Sequence, residues 1–232
     1  MKTLYLLLNI GSISIPFLFS FHPKLKFYKY WKALFLSLLI TMFIYIPWDV
    51  IFTKHGIWGF NNAYFLNQSI LGLPIEEWLF FICIPYACVF THYALLYYFP
   101  NAKLAKKTTY LISAILCLTL LITILLNTNR WYTLINFLYA IILIPIVYKT
   151  NPELLQKFFL TFLVMLIPFF LVNGILTGSF ITDEVVWYNN SENLSIRLFT
   201  IPIEDTIYAF TLILTNIYLT EFFHKKFFTS NN

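Results

Sequence analysis

Leu73-Pro74-Ile75-Glu76-Glu77-Trp78-Leu79-Phe80-Phe81 has a second, altered copy in Ile201-Pro202-Ile203-Glu204-Asp205-Thr206-Ile207-Tyr208-Ala209-Phe210. In each copy a proline and two adjacent carboxylates lead into an apolar run of roughly twenty residues, the length of helix that crosses a bilayer. Proline suits a first helical turn, where its missing N–H would be unpaired anyway, and acidic side chains there meet the positive pole of the helix dipole. A single copy reads as an ordinary helix cap. Two copies, each placing a carboxylate pair where charge is costly, read as a functional site.

The rest of the 232-residue chain supports a membrane setting. Hydrophobic residues make up 60% and charged residues 11%, with a mean hydropathy of +0.77, far from the balance of a soluble domain. A net charge of +5 therefore bears on topology, and nucleic acid is not an expected partner. Cys83, Cys88 and Cys117 fall in apolar segments without metal-ligand spacing and read as small core residues, so no disulfide, metal or other cofactor is implied.

Working outward from the two acidic stretches, seven apolar spans are expected. They run from about Leu4 to Phe21, Ala33 to Phe52, Ile75 to Phe99, Thr109 to Leu126, Trp131 to Tyr148, Phe158 to Leu176 and Ile203 to Phe223. The first lacks a small-residue cleavage site and is followed by a basic loop, so it reads as a helix and not as a signal peptide. Eleven lysines (24, 26, 29, 32, 103, 106, 107, 149, 157, 225 and 226) fall on one side of this arrangement, against Lys2, Lys54, Arg130 and Arg197 on the other. Positive charge marks the cytoplasmic side. The expectation is a multi-pass cell-membrane protein with its N-terminus extracytoplasmic and its C-terminus cytoplasmic, both acidic pairs opening outward.

The repeat extends beyond the acidic stretch. Helix two ends in Asp49-Val50-Ile51-Phe52-Thr53, followed by Trp58 and Asn61; helix six ends in Asn173-Gly174-Ile175-Leu176-Thr177, followed by Trp187 and Asn189. Residues 1–105 thus form one three-helix repeat, 106–128 a linker helix, and 129–232 the second repeat. Three helices plus a spacer is an even number, so the halves run parallel and relate by an axis along the membrane normal. Both acidic pairs then share one depth and one cleft.

The repeated Pro-x-Glu-(Glu/Asp) stretch, opening the third helix of each half, resembles the integral-membrane lycopene cyclases, found as two small subunits or as one fused chain. The resemblance covers nearly the whole chain, with the fourth helix as the fusion linker. It implies an all-α polytopic enzyme, an isomerase or intramolecular lyase of carotenoid biosynthesis, that closes the ψ-ends of lycopene into β-rings, giving β-carotene through γ-carotene. The implied partners are lycopene within the bilayer and, as an option, other carotenoid enzymes.

The chemistry can also be argued from the residues. Ring closure needs a proton delivered to the terminal alkene, a cation sheltered from water and a base to remove a proton, with no net redox change. Adjacent carboxyl groups near lipid resist double ionisation, so one can serve as acid while another serves as base. The candidates are Glu76, Glu77, Glu204 and Asp205, with Glu76 and Glu204 ranked first because the motif repeats them unchanged. Trp78, Phe80, Phe81 and Tyr208 lie within two turns and would line the substrate and shelter the cation; Asp49 and Asn173 could hydrogen-bond the acids. His92 and Asn216 read as interhelical hydrogen bonds, and His55 as a weaker candidate proton shuttle.

Other classes compete less well. Helix seven has no lysine for a retinal Schiff base, the aspartates Asp49, Asp183 and Asp205 are too scattered for a magnesium-diphosphate site, and no Gly-x-Gly-x-x-Gly follows a strand. A carotenoid hydratase, a cyclase of a longer carotenoid, or a proton-coupled carrier stay open as alternatives. The second motif's Thr206 and Tyr208, in place of Trp78 and Phe80, make equivalent catalysis by the two halves unexpected.

Overall fold

A computed structural model describes residues 2–229. Among these it has seven α-helices: α1 (Leu4–Phe19), α2 (Trp31–Lys54), α3 (Ile75–Tyr98), α4 (Lys106–Leu126), α5 (Trp131–Thr150), α6 (Pro152–Leu176) and α7 (Ile203–Thr229). Six are long and apolar enough to cross a membrane, so the chain is an all-α, multi-pass membrane protein. The exception is α1. Its 16 residues rise about 24 Å at 1.5 Å each, short of the roughly 30 Å hydrocarbon core. It stops at Phe19, before the expected Phe21, where the Ser20 N–H closes the last turn on the Pro16 and Phe17 carbonyls. At α6 the helix begins six residues before the expected Phe158, because the Asn151 side chain accepts the Leu154 N–H and Pro152 occupies the first turn.

Large apolar side chains on the outer faces, such as Phe43, Ile167 and Leu126, are exposed, as a chain solvated by lipid permits. Polar contacts inside join the halves crosswise. α2 lies along α7, with Ser37 donating to the Asn216 carbonyl at 2.9 Å and Tyr45 to Thr211 at 2.9 Å. α6 lies along α3, where the His92 Nδ1 and Thr161 hydroxyl are 2.8 Å apart. Within each half the first helix packs on the third: α1 on α3, α5 on α7. Each second helix is thus lent to the opposite half. His92 and Asn216 make the interhelical contacts expected of them.

The segments before α3 and α7 carry six short strands: β1 (Trp58–Phe60), β2 (Ser69–Ile70) and β3 (Leu73–Pro74), then β4 (Val186–Tyr188), β5 (Arg197–Leu198) and β6 (Ile201–Pro202). β2 pairs with β3, and β5 with β6, in tight hairpins that deliver the chain into the acidic helix starts. Asn67 and Leu71 take positive φ, and so do Ser195 and Phe199 at the matching places. β1 pairs antiparallel with β4 across the halves, and the Asn61 and Asn189 N–H groups bond the Val185 and Ile57 carbonyls reciprocally at 2.9 Å. This ribbon brings the two helix starts to one end of the bundle.

Asn61 and Asn189 therefore correspond as expected, but Trp58 and Trp187 do not. Trp58 pairs with Tyr188, while Gly59 pairs with Trp187. The Trp58 indole points inward and Trp187 is 38% exposed. The physical reason lies at Gly59, where an added Cβ would come within 2.3 Å of the Trp187 ring, so Trp187 crosses the ribbon over a position that only glycine can fill.

Candidate active site

The two helix starts carry the same anchoring twice. Asn9 on α1 donates to the Glu76 carbonyl at 2.8 Å, and Asn136 on α5 to the Glu204 carbonyl at 2.7 Å. The Glu76 carboxylate accepts the Leu66 N–H at 2.9 Å, and the Glu204 carboxylate accepts the Leu194 N–H at 2.7 Å together with the Thr133 hydroxyl at 2.7 Å. Both glutamates are 0% exposed. They tie the incoming loop to the first turn of α3 or α7.

One residue later the helix has turned by about 100°, and Glu77 and Asp205 face elsewhere. Both line an apolar cavity of about 590 Å³ whose walls come from α1, α3, α6 and α7, with β1 and β4 over one end. Tyr5 donates to Glu77. Asp49, at the end of α2, faces the same end of the cavity as Glu77 and accepts the Trp58 indole N–H at 2.6 Å and the Thr53 hydroxyl at 3.4 Å. Asp205 accepts Tyr132 at 2.5 Å, Asn173 at 2.8 Å and Tyr188 at 3.0 Å. Burial, with Asp205, Glu77 and Asp49 nearby, pushes the Tyr188 phenol well above its usual value, so it stays a donor.

Three carboxyl groups, four tyrosines (Tyr5, Tyr132, Tyr188 and Tyr208) and Trp58 thus meet at one end of a space that is otherwise apolar. From there the cavity runs down α3 to Thr91 and along α1 to Pro16, about 21 Å for the fourteen-residue rise from Glu77. Its long sides are α1 and α6, and their rims, including Leu7, Ile15 and Leu171, are exposed on the lipid-facing surface. The arrangement offers proton donors and acceptors at the wall of an apolar slot that a linear hydrocarbon could reach from the bilayer.

The expected site residues divide accordingly. Glu77, Asp205, Phe80, Tyr208, Asp49 and Asn173 line the cavity. Glu76 and Glu204, ranked first from the repeat, stand behind the wall in the loop anchors. Trp78 turns outward, its indole donating to the Ile70 carbonyl at 3.3 Å, and Phe81 is packed among Tyr45, Ile46 and Leu73. His55, on the loop after α2, bonds the Ile51 carbonyl at 2.8 Å and is absent from the cavity wall. Tyr5, Tyr132 and Tyr188 were not singled out from sequence, and Trp58 was read there only as a marker of the repeat. The signal for two of them was there: Tyr5 and Tyr132 each precede the anchoring asparagine by four residues.

The family model for lycopene cyclase matches residues 2–95 and again 129–223. The chain belongs to the lycopene cyclase family. The two matched segments take in every cavity-lining carboxyl and leave out α4. Neither the curated proteins nor the solved structures compared with the chain gave a match. Membership makes a cyclase role the general reading of this lycopene-cyclase-family protein, and its apolar helices suit a substrate embedded in the membrane.

Proposed function

We propose that the chain closes the ψ-ends of lycopene into β-rings by acid/base catalysis, giving γ-carotene and then β-carotene. The observation that carries this reading is the cluster of Asp49, Glu77 and Asp205 at one end of an apolar cavity open toward lipid. Two buried carboxyl groups at one end of an apolar cavity resist double ionisation, so one of Asp49 and Glu77 keeps a proton and serves as the acid. Its proton goes to the CH carbon of the terminal dimethyl alkene, forming a C–H bond. The resulting tertiary cation is attacked by the nearby double bond, which closes the six-membered ring by a C–C bond and moves the charge into it. Asp205, supported by three donors as a carboxylate, removes a ring proton, and the C–H electron pair becomes the ring double bond. One proton enters and one leaves, so the mass is unchanged and no redox partner is needed.

Tyr208, Trp58 and Phe80 line the same end and offer ring faces to the cation, on the order of 0.5 to 2 kcal/mol each when desolvated. The scarcity of polar groups lower in the cavity favours ring closure over capture by water, which separates this reading from a hydratase. We take residues 1–105 and 129–232 as the two repeats and 106–128 as their linker, with the N-terminus extracytoplasmic. Glu76 and Glu204 hold the frame in this reading.

Expression in cells that accumulate lycopene, followed by chromatography and mass analysis of the pigments, tests the proposal. A product of unchanged mass with one or two β-rings supports it; a product heavier by water indicates hydration. Unaltered lycopene, with the protein present in the membrane, overturns it and shifts weight to a longer carotenoid or to a proton-coupled carrier.

A further inference from the structure

The repeated anchors set a residue-by-residue correspondence between the halves. Asn9 and Asn136 make the same bond to α3 and α7, so Gly11 and Ser12 on α1 correspond to Leu138 and Tyr139 on α5. Asp49 and Asn173 end α2 and α6, so Phe169 and Val172 on α6 correspond to Tyr45 and Trp48 on α2. The cavity runs over α3 between α1 and α6. Its repeat-related twin would run over α7 between α5 and α2.

That twin space is full. Tyr45 is 0% exposed and sits edge-on to Tyr139 at 5.7 Å between ring centroids, stacks with Trp48 at 5.5 Å and meets Tyr208 at 5.2 Å. Hydrogen bonds lock the rings in place: Tyr45 donates to Thr211 at 2.9 Å, and the Tyr139 and Thr215 hydroxyls are 2.9 Å apart. On the open side Gly11, Ser12 and Val172 are smaller than their counterparts Leu138, Tyr139 and Trp48, while Phe169 matches Tyr45 in size and forms part of the cavity wall. A Cβ added at Gly11 would meet nothing within 4 Å, and the Ser12 hydroxyl is turned back onto its own helix, donating to the Leu8 carbonyl at 2.7 Å.

We infer that only the α1–α6 groove, of these two repeat-related grooves, takes an isoprenoid polyene, and that Gly11 and Ser12 are the positions that keep it open. Resting on the cyclase reading, this deepens it. One polyene binds per chain, its reacting end at Glu77 and Asp205 and the remainder leaving between α1 and α6. Both rings of a bicyclic product then form at the same place, in separate encounters, after the carotenoid has turned end for end.

Purified protein titrated with lycopene in detergent, followed by quenching of tryptophan fluorescence, tests binding apart from chemistry, and pigment analysis in lycopene-accumulating cells reads ring formation. Gly11→Leu and Ser12→Tyr give the open groove the side chains of its twin; Tyr139→Ser does the reverse. The expected result is one lycopene per chain, at least tenfold weaker binding and ring formation in Gly11→Leu and Ser12→Tyr, and both within twofold of wild type in Tyr139→Ser. Should Ser12→Tyr fail to reach the membrane, Gly11→Leu decides, since its side chain enters open space and favours helix. Two lycopenes per wild-type chain, or wild-type binding in Gly11→Leu, overturns the inference. Binding of one lycopene that obeys the substitutions without ring formation upholds the groove and overturns the cyclase reading instead.

Discussion

Adjacent carboxylates have different surroundings here, because one step along a helix changes the wall a side chain faces. Glu77 and Asp205 look into the cavity, and in the proposed mechanism Glu77→Gln or Asp205→Asn removes an acid or a base while keeping shape. Each is expected to cut ring formation by roughly 10²- to 10⁴-fold, read as the ratio of cyclic product to lycopene at equal protein in the membrane. Glu76→Gln keeps an oxygen to accept the Leu66 N–H, so activity should stay within about tenfold of wild type. Glu76→Ala orphans that buried N–H and should cost about 1 to 3 kcal/mol of stability, measured as a lower unfolding temperature in detergent. Equal loss in Glu76→Gln and Glu77→Gln would sink this division of labour. Tyr188 has a phenol pushed upward by burial and by Asp205, and it holds its proton at every pH below that raised value. Tyr188→Phe should therefore lower the rate without moving the pH profile between about 6 and 9.

At the scale of elements, the β1–β4 ribbon is the device that brings the two motif helices to one cavity. Its register depends on Gly59, over which the Trp187 ring lies. Gly59→Ala is expected to force the ribbon apart, at about 1 to 3 kcal/mol for overpacking, and to lower both unfolding temperature and activity. Trp187→Ala in the same chain should restore most of the loss, because it removes the clashing ring. If the double variant is no better than Gly59→Ala alone, the register is not what that substitution breaks. The hairpins ahead of α3 and α7 act at the same scale, their reversals letting Leu66 and Leu194 reach back to Glu76 and Glu204.

For the whole molecule, the crosswise packing of α2 on α7 and α6 on α3 makes neither half a complete unit. A half alone leaves its third helix without the second helix that covers it. Residues 1–105 and 106–232 expressed as two chains should therefore form rings only when both are present, while either alone yields unaltered lycopene. Ring formation by one half alone would show that its own residues suffice. Reporter fusions after residue 103 and at the C-terminus should both read as cytoplasmic if the lysine distribution orients the protein.

Composition and pattern alone were enough for the membrane setting, the helix count, the repeat and the family. Burying apolar surface in lipid leaves a mark on every span, and a duplicated motif survives in the chain itself. The split between Glu76 and Glu77 was not legible, because neighbouring carboxylates look alike until the rotation of their helix against α1 is known. The same holds for Tyr188 and Trp58, whose bonds to Asp205 and Asp49 depend on which face β4 and β1 turn toward the cavity. Which groove is open also lay beyond one dimension: aromatic residues abound throughout, and only packing tells that Tyr45, Trp48 and Tyr139 fill one side while Gly11 and Ser12 leave the other free. Local pattern is written along the chain, whereas a cavity belongs to side chains from distant segments and exists only once they meet.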